Sequence, residues 1–208
     1  RRPPRSTQSR SSAASDVYKR QRYDNKIKFQ DKELILNTKI ESHVFVSKKA
    51  LIVSEPHHNS TEIKIGDEVY IHHNIFRRWY DTKGKERNGS TYFKDDLYFC
   101  SPSQIYLYKR NNELECNLNY CFVSPVQDTS TLSNLKEKEL LGIVKYCNNS
   151  LKSKKVNVGD LVSFSPDSEF EFVIGEDRLY CMKSNNIAVI HECKGNEKKY
   201  NPSWTKSS

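Results

Sequence analysis

The nine residues Ile63–Ile71, IKIGDEVYI, return at Val156–Phe164 as VNVGDLVSF. Apolar residues stand at Ile63, Ile65, Val69 and Ile71 in the first copy and at Val156, Val158, Val162 and Phe164 in the second. Gly66-Asp67 and Gly159-Asp160 fall at the same point of the pattern. Alternation with a period of two is the mark of a half-buried strand. Gly supplies the backbone freedom for a bend, and the Asp carboxylate can accept from turn amides. A chain that does this twice is committed to sheet construction in both halves.

Further blocks repeat in the same order. Leu97-Tyr98 aligns with Leu179-Tyr180, and Ile105 and Leu107 align with Ile187 and Val189. Upstream of each Gly-Asp, ALIVSEP (50–56) pairs with LGIVKYC (141–147), and ELILNT (33–38) pairs with YCFVSP (120–125). Such ordered self-similarity is the signature of internal duplication. The expected fold is all-β, two tandem small β-barrels whose repeated parts span about 33–110 and 117–193. They lie in domains 23–112 and 113–193, the first carrying a long insertion at 72–94 and the second followed by a basic polar tail, 194–208. Each half is short, and association with the other half or with further subunits would support its modest core.

Residues 1–22 differ from the rest. They are dominated by Arg, Ser and Pro, show no buried-face pattern, and SSAASDVYKRQ resembles translated adapter read-through. They are set aside from fold reasoning as non-native or disordered, with a basic nucleic-acid-binding arm as the rival reading. The one Met is Met182, and the native start is expected to be missing. The ends dominate the charge. Residues 1–22 hold seven Lys/Arg against one Asp, and 194–208 hold four Lys against one Glu, so the formal +8 leaves −1 for residues 23–193. A nearly neutral body lacks the electrostatic footprint of a nucleic-acid binder. No apolar run approaches the roughly 18 residues of a membrane span, and a cytoplasmic location, with no membrane partner, is expected. The six cysteines form no C-x-x-C pair, which points to buried reduced thiols rather than a zinc site.

The order of strands and motifs resembles the GroES (chaperonin 10) family of co-chaperonins. Leu141-Gly142-Ile143-Val144 is similar to the family's Gly-x-Val strand, Val156–Phe164 to its VKVGDxVxF block, and Asn185–Glu192 to its closing strand. Ile63–Ile71 and Leu97–Tyr108 fit more loosely. The aromatic HHNIFRRWYD segment looks more like proteins of marine phages and their hosts. The segments where the family inserts a roof hairpin are short here, SEPHHNSTEIKI and KYCNNSLKSKKVNV.

The resemblance implies a lid that caps an ATP-driven chaperonin ring, with no catalytic residue, no cofactor and a homo-oligomeric assembly, in host cytoplasm if phage-encoded. It places the chaperonin-binding loop at 126–140, with Thr131, Leu132, Ser133, Asn134 and Leu135 at its centre. Two isolated leucines in a polar loop suit weak, reversible docking, which linked copies turn into avidity. An ordinary surface loop is the competing reading. A second loop, with Val44, Phe45 and Val46, falls at 39–50, where a plain strand is the stronger expectation.

Other constellations are weaker. His57-His58 and His72-His73 are adjacent pairs, and neighbours on a strand face opposite ways, so no metal site is expected. Arg77, Arg78, Lys83, Lys85 and Arg87 lie among Trp79, Tyr80, Tyr92 and Phe93. That mixture can grip single-stranded nucleic acid, but a turn-rich tip is normally charged for solvation, and nucleic acid is not the favoured partner. A single-stranded nucleic-acid-binding module and a phage assembly protein that kept the barrel are the alternative functions. No nucleophilic triad or phosphate loop is present, and enzyme activity ranks last.

Overall fold

The computed structural model describes residues 48–56, 61–128, 136–192, 195 and 197–201, together with the backbone of 15–18, 26–29 and 32–35. The chain is all-β in character. The first half holds β1 (Ser15–Tyr18), β2 (Lys26–Phe29), β3 (Lys32–Ile35), β4 (Lys49–Ser54), β5 (Glu68–Ile71), β6 (Arg78–Tyr80), β7 (Glu86–Asn88), β8 (Tyr92–Lys94), β9 (Leu97–Cys100), β10 (Ile105–Arg110) and β11 (Glu113–Cys116). The second holds β12 (Tyr120–Gln127), β13 (Glu137–Tyr146), the short helix α1 (Asn149–Ser153), β14 (Leu161–Phe164), β15 (Phe170–Ile174), β16 (Asp177–Lys183) and β17 (Ile187–His191).

Two antiparallel sheets carry the fold, in the orders β11-β10-β5-β4-β1-β9-β8 and β15-β16-β12-β13-β14-β17; β2-β3 and β6-β7 form separate hairpins. Within the large sheets, β10-β5-β4-β1-β9 and β17-β14-β13-β12-β16 have the same order. The register repeats as well. Ile105 faces Ile71 and Ile187 faces Phe164, each followed by an irregularity in the ladder, after which Tyr108 faces Val69 and Ile190 faces Val162. Each closing strand follows a 3-10 turn, Pro102–Gln104 or Ser184–Asn186.

Two expected correspondences are corrected. The place that β12 holds between β13 and β16 is held in the first half by Ser15–Tyr18, between β4 and β9. It lies inside the segment set aside above. Residues 32–35, expected there, pair among the described residues with β2 alone. The match of ALIVSEP to LGIVKYC slips by one residue: Ala50 faces Val69 as Gly142 faces Val162, so Ile52 corresponds to Val144 and not to Ile143.

The two barrels expected from the sequence are open sheets, because neither pair of edge strands joins. In the second sheet the interior of β12 is buried on both faces. One cluster fills the first repeat around Ile52, Val69, Ile71, Phe76, Tyr98 and Ile105. Another fills the second around Val123, Val144, Leu151, Val162 and Met182. Between them lies a third layer, in which Tyr70, Tyr106, Leu107 and Cys116 meet Phe122, Phe172, Leu179 and Cys181. The repeats pack face to face through edge-to-face aromatic pairs, Tyr106–Tyr120 at 4.7 Å and Tyr106–Phe172 at 5.5 Å.

Candidate functional site

The two Gly-Asp turns are built alike. Gly66 has φ +93° and Gly159 φ +99°, conformations that a side chain disfavours. The Asp67 carboxylate accepts from the Lys64 amide at 2.8 Å, and Asp160 accepts from the Asn157 amide at 2.8 Å. Gly66 N–H donates to the Ile52 carbonyl and Gly159 N–H to that of Val144. The turns differ in one respect. Asp67 is buried and holds the Arg110 guanidinium, which also donates to the Glu62 carbonyl. These residues position strands and carry no chemistry of their own.

The hairpin expected to carry the partner-binding loop is β12–β13. Its strands run to Gln127 and from Glu137, and Asp128 N–H donates to the Lys136 carbonyl at 2.9 Å. The loop is therefore shorter than the 126–140 expected. Thr131, Leu132, Ser133, Asn134 and Leu135 lie outside the described residues, as do Val44, Phe45 and Val46.

The base of that hairpin is pinned by a buried arginine that sequence reading missed. Arg178 of β16 donates through Nε to Glu171 at 3.0 Å and through Nη1 to Glu137 at 2.7 Å. Tyr180 donates its hydroxyl to Glu137 at 2.8 Å, and the guanidinium lies 4.8 Å from the Tyr180 ring. Burial works against the guanidinium charge, but the Glu137 and Glu171 carboxylates outweigh it and raise the Arg178 pKa. Burial and the bond to Glu137 push the Tyr180 phenol up. The tail joins the same cluster. Gln127 N–H donates to the Lys198 carbonyl, Tyr200 N–H to that of Pro125, and Arg178 N–H to the Asn201 amide oxygen at 2.7 Å. The tail thus straps β12 where the loop departs. The available signal was one Arg in an otherwise largely apolar β16 and one Glu inside Phe170–Ile174.

His72 and His73 do not face opposite ways. The chain leaves β5 at His72 for the 3-10 turn His73–Ile75, and the rings stack with centroids 4.4 Å apart. His72 accepts from the Asn74 amide through Nδ1 at 3.1 Å, and burial lowers its pKa. No group of three or more His, Cys, Asp or Glu arranged to hold a metal occurs among the described residues. The pair borders a cavity of about 530 Å³ between the repeats, lined also by Lys48, Tyr106, Glu169 and Phe172. Lys48 reaches across the repeats to the Glu171 carbonyl at 3.1 Å.

Cys100, Cys116, Cys121, Cys147 and Cys181 are free thiols. Burial pushes Cys100 and Cys121 up to about 12, away from the reactive thiolate. Cys193 lies outside the described residues. Asn148, in one of the three Asn-x-Ser/Thr sequons, is buried; it caps α1 and donates to the Tyr120 carbonyl. Its side chain is committed to structure. No helix among the described residues is long and apolar enough to cross a membrane.

Against known proteins, no family model matches the chain, and no curated protein matches it significantly.

Proposed function

We propose that the chain is a co-chaperonin of GroES type, two barrel-like repeats that together cap a chaperonin ring through the loop at 129–135. The observation that carries this reading is the repeated unit itself. Five strands in one order, a bend at a positive-φ Gly with an Asp-capped turn, and the same ladder irregularity in the closing strand recur on the motifs that resemble the family. The loop is a reasonable docking element because its base is held firm by Arg178 and the tail strap while Leu132 and Leu135 sit in a polar stretch. Binding through a short polar loop is weak per copy, so the reading includes a homo-oligomeric ring. The outer edge of β17 supports that part. Its counterpart β10 is covered by β11, whereas no strand among the described residues pairs with the outer edge of β17. Val189 and Ile190 on β17 are 50% and 48% exposed, and such an edge invites strand addition.

The test is co-migration of the full chain with a GroEL-type chaperonin ring in ATP or ADP. A nucleotide-dependent complex is expected, with the loop protected from protease, and Leu132→Asp with Leu135→Asp should abolish both. Light scattering should give a mass of several subunits. Absence of both co-migration and protection removes the reading.

A further inference from the structure

We propose that the hairpin β6–β7 of the first repeat is a binding platform for single-stranded nucleic acid, a function separate from chaperonin capping. Sequence alone favours a solvated tip for this insertion, because flexible charged turns are common. The order of the hairpin in the structure favours a binding role.

The base is anchored in the core. Ile75 and Phe76 are fully buried, Phe76 meets Tyr98 edge-to-face at 4.8 Å, and the Thr91 hydroxyl donates to the Ile75 carbonyl at 2.7 Å. The tip is locked by one carboxylate. Asp81 accepts from the amides of Lys83 at 3.0 Å and Lys85 at 2.9 Å and from Arg87 Nε at 3.0 Å. Its own amide donates to the Lys85 carbonyl, and Gly84 N–H donates back to the Asp81 carbonyl.

What the hairpin presents is chemically specific. Trp79 is 49% exposed; Tyr80, 44% exposed, points to the other face of the hairpin, opposite Glu86. Trp79 stands directly opposite Arg87 in the ladder, so ring and guanidinium share one face. Asp81 holds Arg87 through Nε alone, and the other edge of the guanidinium has no partner among the described residues. The side chains of Arg77, Lys83 and Lys85 are exposed and make no ion pair among the described residues. On β8, Phe93 is exposed with Lys94 5.5 Å from its ring.

Charge selects the ligand class. Residues 72–94 hold six Lys/Arg against Asp81 and Glu86, a net +4, while the rest of 23–193 carries −5. The near-neutral body therefore hides a local cationic patch. A polyanion fits the charge, and flat exposed rings beside cations fit unpaired bases, which stack on aromatics irrespective of sequence. Duplex DNA hides its base faces, and an acidic protein segment leaves the rings without planar partners.

The test is fluorescence anisotropy of the full chain with labelled oligo-dT and oligo-U at two salt concentrations, with polyphosphate and polyglutamate as competitors. Trp79 emission is followed in a Trp204→Phe background. Expected are salt-sensitive binding, quenching of Trp79, and about a tenfold loss of oligonucleotide affinity for Trp79→Ala without loss of polyphosphate affinity. Lys83→Gln with Lys85→Gln should lower the log–log salt slope by about 1 to 2. The basic ends supply a background that these hairpin variants leave unchanged. Unquenched Trp79, or affinity unaltered by Trp79→Ala at an unchanged melting temperature, overturns the proposal. Stronger competition by polyglutamate than by polyphosphate also overturns it, in favour of an acidic protein. None of these outcomes bears on chaperonin binding.

Discussion

At the scale of single residues, the repeated Gly-Asp turn depends on two glycines for backbone reasons alone. A Cβ on Gly66 or Gly159 would meet nothing within 4 Å, so Ala there introduces strain without a clash. Each Gly→Ala change is expected to cost roughly 1–2 kcal/mol, read as a shift in urea midpoint. Gly142 is the opposite case. A Cβ there would come within 2.9 Å of Val123 Cγ2 and 3.1 Å of the Ser124 carbonyl, so Gly142→Ala should cost about 1–3 kcal/mol through overpacking. His72 gives the pH prediction. Burial holds its folded pKa below the ordinary 6.5, so below that pH the unfolded chain takes up protons that the folded chain refuses. Stability should be level above pH 6.5 and fall as pH drops from 6.5 towards the folded value. His72→Gln should flatten that limb in denaturation curves taken across the window.

At the scale of elements, Arg178 ties three pieces that are remote in sequence: the start of β13, the strand β15 and the tail. Its side chain and that of Glu171 are 8% and 9% exposed, so removal takes a buried guanidinium from the Glu171 and Glu137 carboxylates. Arg178→Ala is expected to cost about 3–5 kcal/mol, and less in a Glu171→Gln background, where one of its two carboxylate partners is already neutral. Amide exchange at Gln127 and Tyr200 should quicken in the same variant, because both amides belong to the strap beneath the loop. This cluster was the least legible part of the chain. Strand alternation marks which residues face a core, but it does not say that a Glu at 137, a Glu at 171 and an Arg at 178 meet. The Gly-Asp stretch was legible as a repeat, not as a pair of strands: only Glu68–Ile71 and Leu161–Phe164 are strands, and Ile65 and Val158, expected on the buried face, are 63% and 60% exposed in the turns. Where both faces are apolar, as in LIV of β4 and LLGIV of β13, a shift of one residue looks equally good. The upstream match slipped there. The match of ELILNT to YCFVSP failed for a related reason, since a short alternating run fits any vacant position in a sheet. The turn joining β6 and β7, residues 81–85, was read as part of a charged tip, and the Asp81 lock that shapes it is local, with partners two, four and six residues on.

At the scale of the whole molecule, the shared aromatic layer decides whether the repeats are two bodies or one. Tyr70, Tyr106, Phe122 and Phe172 occupy positions that a solvated sheet face would give to polar residues. The aromatic richness of the chain serves the packing of repeat on repeat. Each repeat's own core is small, and the middle layer removes a face of both sheets from water. The full chain should therefore unfold in one cooperative transition, with calorimetric and van't Hoff enthalpies in agreement. Phe172→Ala strikes the centre of that layer, where the ring touches Tyr106 and Phe122 at 5.5 and 5.6 Å. Its cost should be about 3–5 kcal/mol, and it should fall on the coupling between the repeats as well as on the second core. Calorimetry of Phe172→Ala is expected to show two separable transitions. Val162→Ala, inside the second repeat's own cluster, should lower the melting temperature while keeping one transition. Two transitions in the unaltered chain would mean that the middle layer does not bind the repeats together, and that the closed faces of β12 have another origin.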